Sequence, residues 1–119
     1  MSVTDVGADA LYEAFRSNPQ ESHRLATALR GFFDETTTSA HRSDYGAYLQ
    51  KRLRPTVAAL MEDEDVEKLD VITRLGWLRD EQLDGLIQLA RDNRRTASLV
   101  YLLRLKNERG LYRDRDYML

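Results

Sequence analysis

The run Asp80-Glu81-Gln82-Leu83-Asp84-Gly85-Leu86-Ile87-Gln88-Leu89-Ala90-Arg91-Asp92-Asn93 decides the fold. Leu83, Leu86, Ile87 and Ala90 recur at i, i+3, i+4 and i+7, the spacing that lays apolar side chains along one face of an α-helix. Asp80 is a suitable start and Asp92-Asn93 a break. A second helical stretch follows, from about Thr96 to Arg109, and stops at Gly110, which accepts the left-handed backbone that closes helices. Its Leu99-Val100-Tyr101-Leu102-Leu103 segment is apolar nearly all round, which predicts the central, most buried helix.

The same periodicity extends towards the N-terminus. A helix is expected over about Asp65 to Leu75, closed by Gly76, and a shorter one over Pro55 to Met61. Pro55 disfavours helix at Arg54, so a break or kink belongs there. Tyr45, Tyr48, Leu49 and Leu53 share one side of a helix over about Asp44 to Leu53. Thr36 to Ser39 is polar and β-branched, and reads as a loop. Leu25, Leu29, Phe32 and Phe33 form a buried stripe on a helix whose start signal is Asn18-Pro19, with Glu21 placed to complete a capping box. Leu11, Tyr12 and Phe15 mark a first helix over about Ala8 to Arg16. The expectation is an all-α fold of six to seven helices, arranged as stacked antiparallel helical hairpins, with no sheet. Residues 1–119 are expected to form one domain, with N-terminal helices over 1–54 and a repeat-like part over 55–119.

Composition bounds the function. The 119 residues carry 42% hydrophobic and 32% charged residues and a net charge of −2, which suits amphipathic helices and offers no general attraction to nucleic acid or anionic membrane. With no cysteine, there can be no disulfide, thiolate nucleophile or Cys-based zinc site. Leu99 to Leu105, the longest apolar-rich stretch, is far too short to span a bilayer. Met1-Ser2-Val3-Thr4-Asp5 has no basic region or apolar run, so a signal peptide is not expected and a cytoplasmic location is.

A shift of 34 residues aligns Val66 with Val100, Leu69 with Leu103, Gly76 with Gly110, Arg79 with Arg113 and Asp80 with Asp114. Periods near this length belong to helix-pair repeats. Within them, Leu89-Ala90 leads through Asp92-Asn93 to Val100, Leu102, Leu103 and Gly110, and Ala58-Ala59 leads to Val66, Leu69 and Gly76. This pattern resembles a degenerate ankyrin-like unit over about Pro55 to Tyr112. The family's Thr-Pro-Leu-His element is absent, and the matching stretch reads Leu83-Asp84-Gly85-Leu86. The resemblance implies protein recognition, since that family shares no chemistry.

No catalytic, metal or cofactor motif stands out. His23 and His41 are the only histidines. A His41-x-x-Asp44 pair could orient an imidazole, but lacks a nucleophile or second ligand. Glu62-Asp63-Glu64-Asp65 lacks the alternating geometry of a calcium loop and reads as an acidic helix start. Charge is uneven: six acidic and three basic residues lie between Glu62 and Arg79, and eight basic and three acidic between Arg91 and Arg115. Arginine dominates the basic part and offers a fork to carboxylates or phosphates. These features point to a small helical protein-interaction module, of adaptor or inhibitor type, with no cofactor and no turnover. Its expected partner surface is Trp77, Arg79, Arg91, Arg94, Arg95, Tyr112 and Arg113, facing an unidentified protein or a second copy. Two alternatives remain: a nucleic-acid-associated regulator using the Arg91–Arg115 surface, disfavoured by the negative net charge, and an enzyme with a site near His41 and Asp44.

Overall fold

The computed structural model describes residues 3–111, with side chains from residue 7 onward. All regular structure among these residues is helical: α1 (Val3–Ser17), α2 (Glu21–Phe33), α3 (Ser39–Lys51), α4 (Leu53–Glu62), α5 (Val66–Arg74), α6 (Asp80–Asp92) and α7 (Thr96–Glu108). None of these helices is long and apolar enough to cross a membrane. The chain divides into two compact units, Met1–Thr56 and Val57–Leu119, and the division falls inside α4.

In the first unit α2 packs against both α1 and α3. Its core is aromatic. The Phe15 ring meets Tyr45 edge-on at 4.9 Å and Tyr48 at 5.1 Å, the T-shaped geometry that ring quadrupoles favour. Tyr45 lies directly on the α2 backbone at Gly31, where an added Cβ would come within 2.3 Å of the ring. Glycine is required there for close approach. Charged groups close the rim. The Tyr48 hydroxyl donates to Glu21 Oε1 at 2.7 Å, Arg52 also donates to Glu21, and the Arg52 guanidinium lies 3.9 Å from the Tyr48 ring centre. The hydrogen bond from Tyr48 is the main influence holding the Glu21 carboxyl below its ordinary pKa.

Several helix ends differ from expectation, each for a local reason. Glu21 forms no capping box, because its carboxylate is taken by Tyr48 and Arg52. Asn18 Oδ1 accepts from the Gln20 N–H at 2.9 Å, a turn that leaves Pro19 ahead of α2. Helix α3 starts at Ser39, well before Asp44, since Thr38 serves as its cap and accepts from the His41 N–H at 3.2 Å. The polar Thr36–Ser39 run is therefore part loop and part helix start, and His41 is helical. The break before α4 falls at Arg52 (φ −120°), not Arg54. Pro55 sits in the first turn of α4, where its missing N–H is not needed.

In the second unit α6 packs on α7, and α5 lies beside α7. Leu83, Leu86, Ile87 and Ala90 are buried, as their spacing requires. Leu53, Thr56, Val57 and Leu60 of α4 are buried at the equivalent positions, a shift of 30 residues. The ends of α5 and α7, at Gly76 and Gly110, are instead 34 residues apart. The difference is one extra helical turn in α7, which has 13 residues against 9 in α5. Helix α7 is not the most buried one. It buries Ser98, Leu102 and Leu105, while Val100 is 51% exposed, because its neighbours cover one side only.

All four helix ends in this unit use one closing motif. The left-handed residue donates to the carbonyl three residues back, and the next residue donates five back: Glu64 to Met61 and Asp65 to Leu60, Gly76 to Thr73 and Trp77 to Ile72, Arg94 to Arg91 and Arg95 to Ala90, Gly110 to Asn107 and Leu111 to Lys106. Glycine takes two of the left-handed positions. Glu64 (φ 49°) and Arg94 (φ 55°) take the others at a steric cost.

Gly31→Ala is expected to destabilise the protein by about 1–3 kcal/mol, since its methyl would have to displace the buried Tyr45 ring. Urea unfolding followed by tyrosine fluorescence measures this, and a neutral result would mean that Tyr45 does not pack on α2.

Candidate functional site

The residues singled out from the sequence occupy different ends of α6. Trp77 and Arg79 precede it, whereas Arg91 lies in its last turn and Arg94 and Arg95 follow it. A 13-residue helix is about 20 Å long, so these are two separate places. Trp77 is buried, only 9% exposed, and offers little ring surface to a partner. Arg79 is exposed and pairs with Glu81 at 3.3 Å, while its backbone N–H donates to Gln82 Oε1 at 3.1 Å. Tyr112 and Arg113 lie outside the described residues.

The turn between α6 and α7 has a fixed backbone and a polarised setting. Arg95 Nη2 reaches Glu62 Oε2 at 2.7 Å. Glu64 Oε2 accepts from the Ser98 N–H at 3.1 Å and from its hydroxyl at 3.2 Å. Ser98 is the third residue of α7, and the residue in the capping position, Arg95, makes no side-chain cap of its own. The carboxylate that satisfies the start of α7 thus comes from the preceding turn, where it also meets the positive end of the helix dipole. Asp65 caps α5 by accepting from the Lys68 N–H at 3.1 Å. Three members of the acidic run therefore have defined structural partners, and only Asp65 serves the helix start expected for the run as a whole.

The same sorting applies to the basic residues. Lys106 pairs with Asp84 at 2.9 Å, and Arg109 Nη1 donates to the Leu78 carbonyl at 2.7 Å and pairs with Asp80 at 3.0 Å. Arg91, Arg94 and Arg104 are exposed and form no ion pair with any described residue. Arg91 and Arg94 share the α6–α7 turn. Arg104 borders a groove between α5 and α7, about 370 Å³, that is also lined by Asp70, Thr73, Arg74, Tyr101 and Glu108. There the Tyr101 hydroxyl donates to Asp70 at 2.9 Å, and its pKa is raised, chiefly by burial.

His41 and Asp44 sit together in the first unit but do not pair with each other. The Tyr12 ring stacks on His41 at 3.7 Å, 5° from parallel, and the Tyr12 hydroxyl donates to Asp44. That hydrogen bond is the main influence raising the Tyr12 pKa. The result is an aromatic clasp between α1 and α3. His23 is exposed on α2. Among the described residues no group of three or more His, Asp and Glu is placed to hold a metal ion.

Comparison with known proteins gave no match: no family model, curated protein or solved structure matches the chain.

The geometry also exposes roles that the sequence reading missed, in Glu64 and Tyr12. The usable signal for Glu64 was the 30-residue shift that sets it opposite Arg94 at the same point of two helix pairs. Glu64→Ala is expected to cost about 1–2 kcal/mol through loss of the cap to α7. Glu64→Gly is expected to cost less, because it also removes the left-handed strain. Urea unfolding of the two variants gives the order, and equal stability of wild type and Glu64→Ala would rule out the capping role.

Proposed function

We propose that this chain is a small protein-recognition module, of adaptor or inhibitor type, that engages an acidic protein surface through its α6–α7 turn. Val57 onwards would be a short stack of helical hairpins, the arrangement implied by the ankyrin-like pattern. Arg94 and Arg91 are the contact residues, and Arg95 braces the turn through Glu62. The mode of action is charge and shape complementarity rather than turnover.

Arg94 carries the proposal. Four residues hold left-handed backbone at equivalent helix ends. Two are glycine, which bears the conformation at no steric cost. Glu64 bears it, closes α4 through its backbone and caps α7 through its carboxylate on the Ser98 N–H and hydroxyl. Arg94 bears it and closes α6 through its backbone, while its side chain forms no hydrogen bond or ion pair with any described residue. A left-handed non-glycine residue whose side chain has no internal polar partner supports an outward role for that side chain. Its neighbour Arg91 is likewise exposed and forms no ion pair with any described residue.

Arg94→Gly separates stability from recognition. It relieves the left-handed strain, so stability is expected to hold or to rise by up to about 1 kcal/mol, less the added freedom of the unfolded chain. Capture of partner proteins from nuclease-treated lysate by the tagged chain is expected to fall with the same variant. Undiminished capture by Arg94→Gly and by an Arg91→Glu, Arg94→Glu pair would overturn the assignment. Capture that nuclease abolishes would point to nucleic acid held by the same arginines, with the steep salt dependence of phosphate contacts.

A further inference from the structure

Three large apolar side chains stand out as exposed among the described residues: Val71 (41%), Leu75 (55%) and Val100 (51%). Val71 lies on α5, Leu75 directly follows it as its C-terminal cap, and Val100 lies on α7, the helix beside α5 in the second unit. At about 100° per residue, their positions can be sorted by flank. On α5, Leu69 and Ile72 point into the core and Asp70, Thr73 and Arg74 line the groove towards α7. Val71 and Leu75 fall on the opposite flank. On α7, Ser98, Leu102 and Leu105 point inward, and Tyr101, Arg104 and Glu108 face the groove. Leu99 and Leu103, each half-buried, fall on the flank away from α5, with Val100 pointing outward.

The second unit therefore has two unlike apolar flanks, on either side of an α5–α7 pairing that already exists within the chain. We propose that the chain stacks head to tail on a second copy of itself. The α7 flank and α6–α7 turn of one copy meet the α5 flank and α4–α5 turn of the next, so that the internal pairing continues across the boundary. This deepens the reading of the Arg91/Arg94 turn as a site for an acidic surface, and rests on it, by naming that surface.

Charge supports the choice of occupant. Within one chain the acidic α4–α5 turn locks onto the start of α7 through Glu62 with Arg95 and Glu64 with Ser98. In a stack, the turns along one edge alternate acid, base, acid, base. Arg91 and Arg94, which form no ion pair with any described residue, then face the Glu62–Asp65 turn of the next copy, where Asp63 is exposed. The contact is heterologous, with different patches on the two partners, and so forms open chains rather than closed pairs.

Light scattering across a concentration series of the full chain tests this. Wild type is expected to rise in average mass with concentration and to fall back in high salt. Leu75→Glu and the Arg91→Glu, Arg94→Glu pair, both at exposed positions and checked for helicity by circular dichroism, are each expected to remain monomeric. Val71→Asp repeats the α5 cut at a second position. An equimolar mixture of the two variants is expected to give a 1:1 dimer, since each retains the face the other has lost. A wild type that stays monomeric at every concentration, or a mixture that stays monomeric, overturns the stacking. If wild type is monomeric yet Arg94→Gly still abolishes capture of a different protein, the acidic-partner reading stands and the self-stacking alone falls.

Discussion

The carboxylate of Glu64 is the constraint on which the second unit depends. A helix begins with N–H groups that have no partner inside the helix. In α7 the residue in the capping position is Arg95, whose side chain cannot accept a hydrogen bond. Glu64 supplies the acceptor from the turn before α5, at the cost of holding its own backbone left-handed. One side chain thereby couples the end of α4 to the start of α7, and Arg95 returns the connection through Glu62. The two helix pairs are tied at their turns as well as along α5 and α7.

The first unit solves its packing by different means. Its core is a set of rings in edge-to-face contact on a glycine floor at Gly31, and Glu21 at the start of α2 is held by Tyr48 and by Arg52 at the end of α3. Arginine planes cover the rims: Arg24 lies 4.9 Å from the Tyr48 ring centre and Arg52 lies 3.9 Å from it. Arg42 donates to the Phe32 and Asp34 carbonyls at 3.2 and 2.8 Å and so closes the end of α2. Three arginines that look like surface charge in the sequence are thus consumed by structure. Arg94 and Arg91 are exposed, form no ion pair with any described residue and share one turn.

The apolar periodicity of Leu83, Leu86, Ile87 and Ala90 placed α6 and its buried face without help, and the glycine stops placed the ends of α5 and α7. What periodicity could not show was which polar groups would meet. Glu21 looked like a capping residue because its spacing was right, yet Tyr48 and Arg52, some thirty residues on, compete for the same carboxylate. Asp44 looked like a partner for His41, and Tyr12 from another helix took it. The 34-residue shift aligned the glycines but passed over the 30-residue register that the turns obey, because one extra helical turn separates the two. Trp77 drew attention as a candidate anchor, whereas the closing turn after Gly76 directs it inward. The misses concern long-range polar contacts, a difference in helix length and the direction a closing turn gives the next side chain, none of which apolar periodicity records.

The most direct measurement is amide hydrogen exchange at the start of α7, followed residue by residue by nuclear magnetic resonance. If Glu64 secures this helix, the Ser98 N–H exchanges far more slowly than the Ala97 N–H beside it, and slows in step with core amides such as Leu102. If Ser98 exchanges as fast as Ala97, the carboxylate is not holding α7, and the coupling between the two turns does not exist.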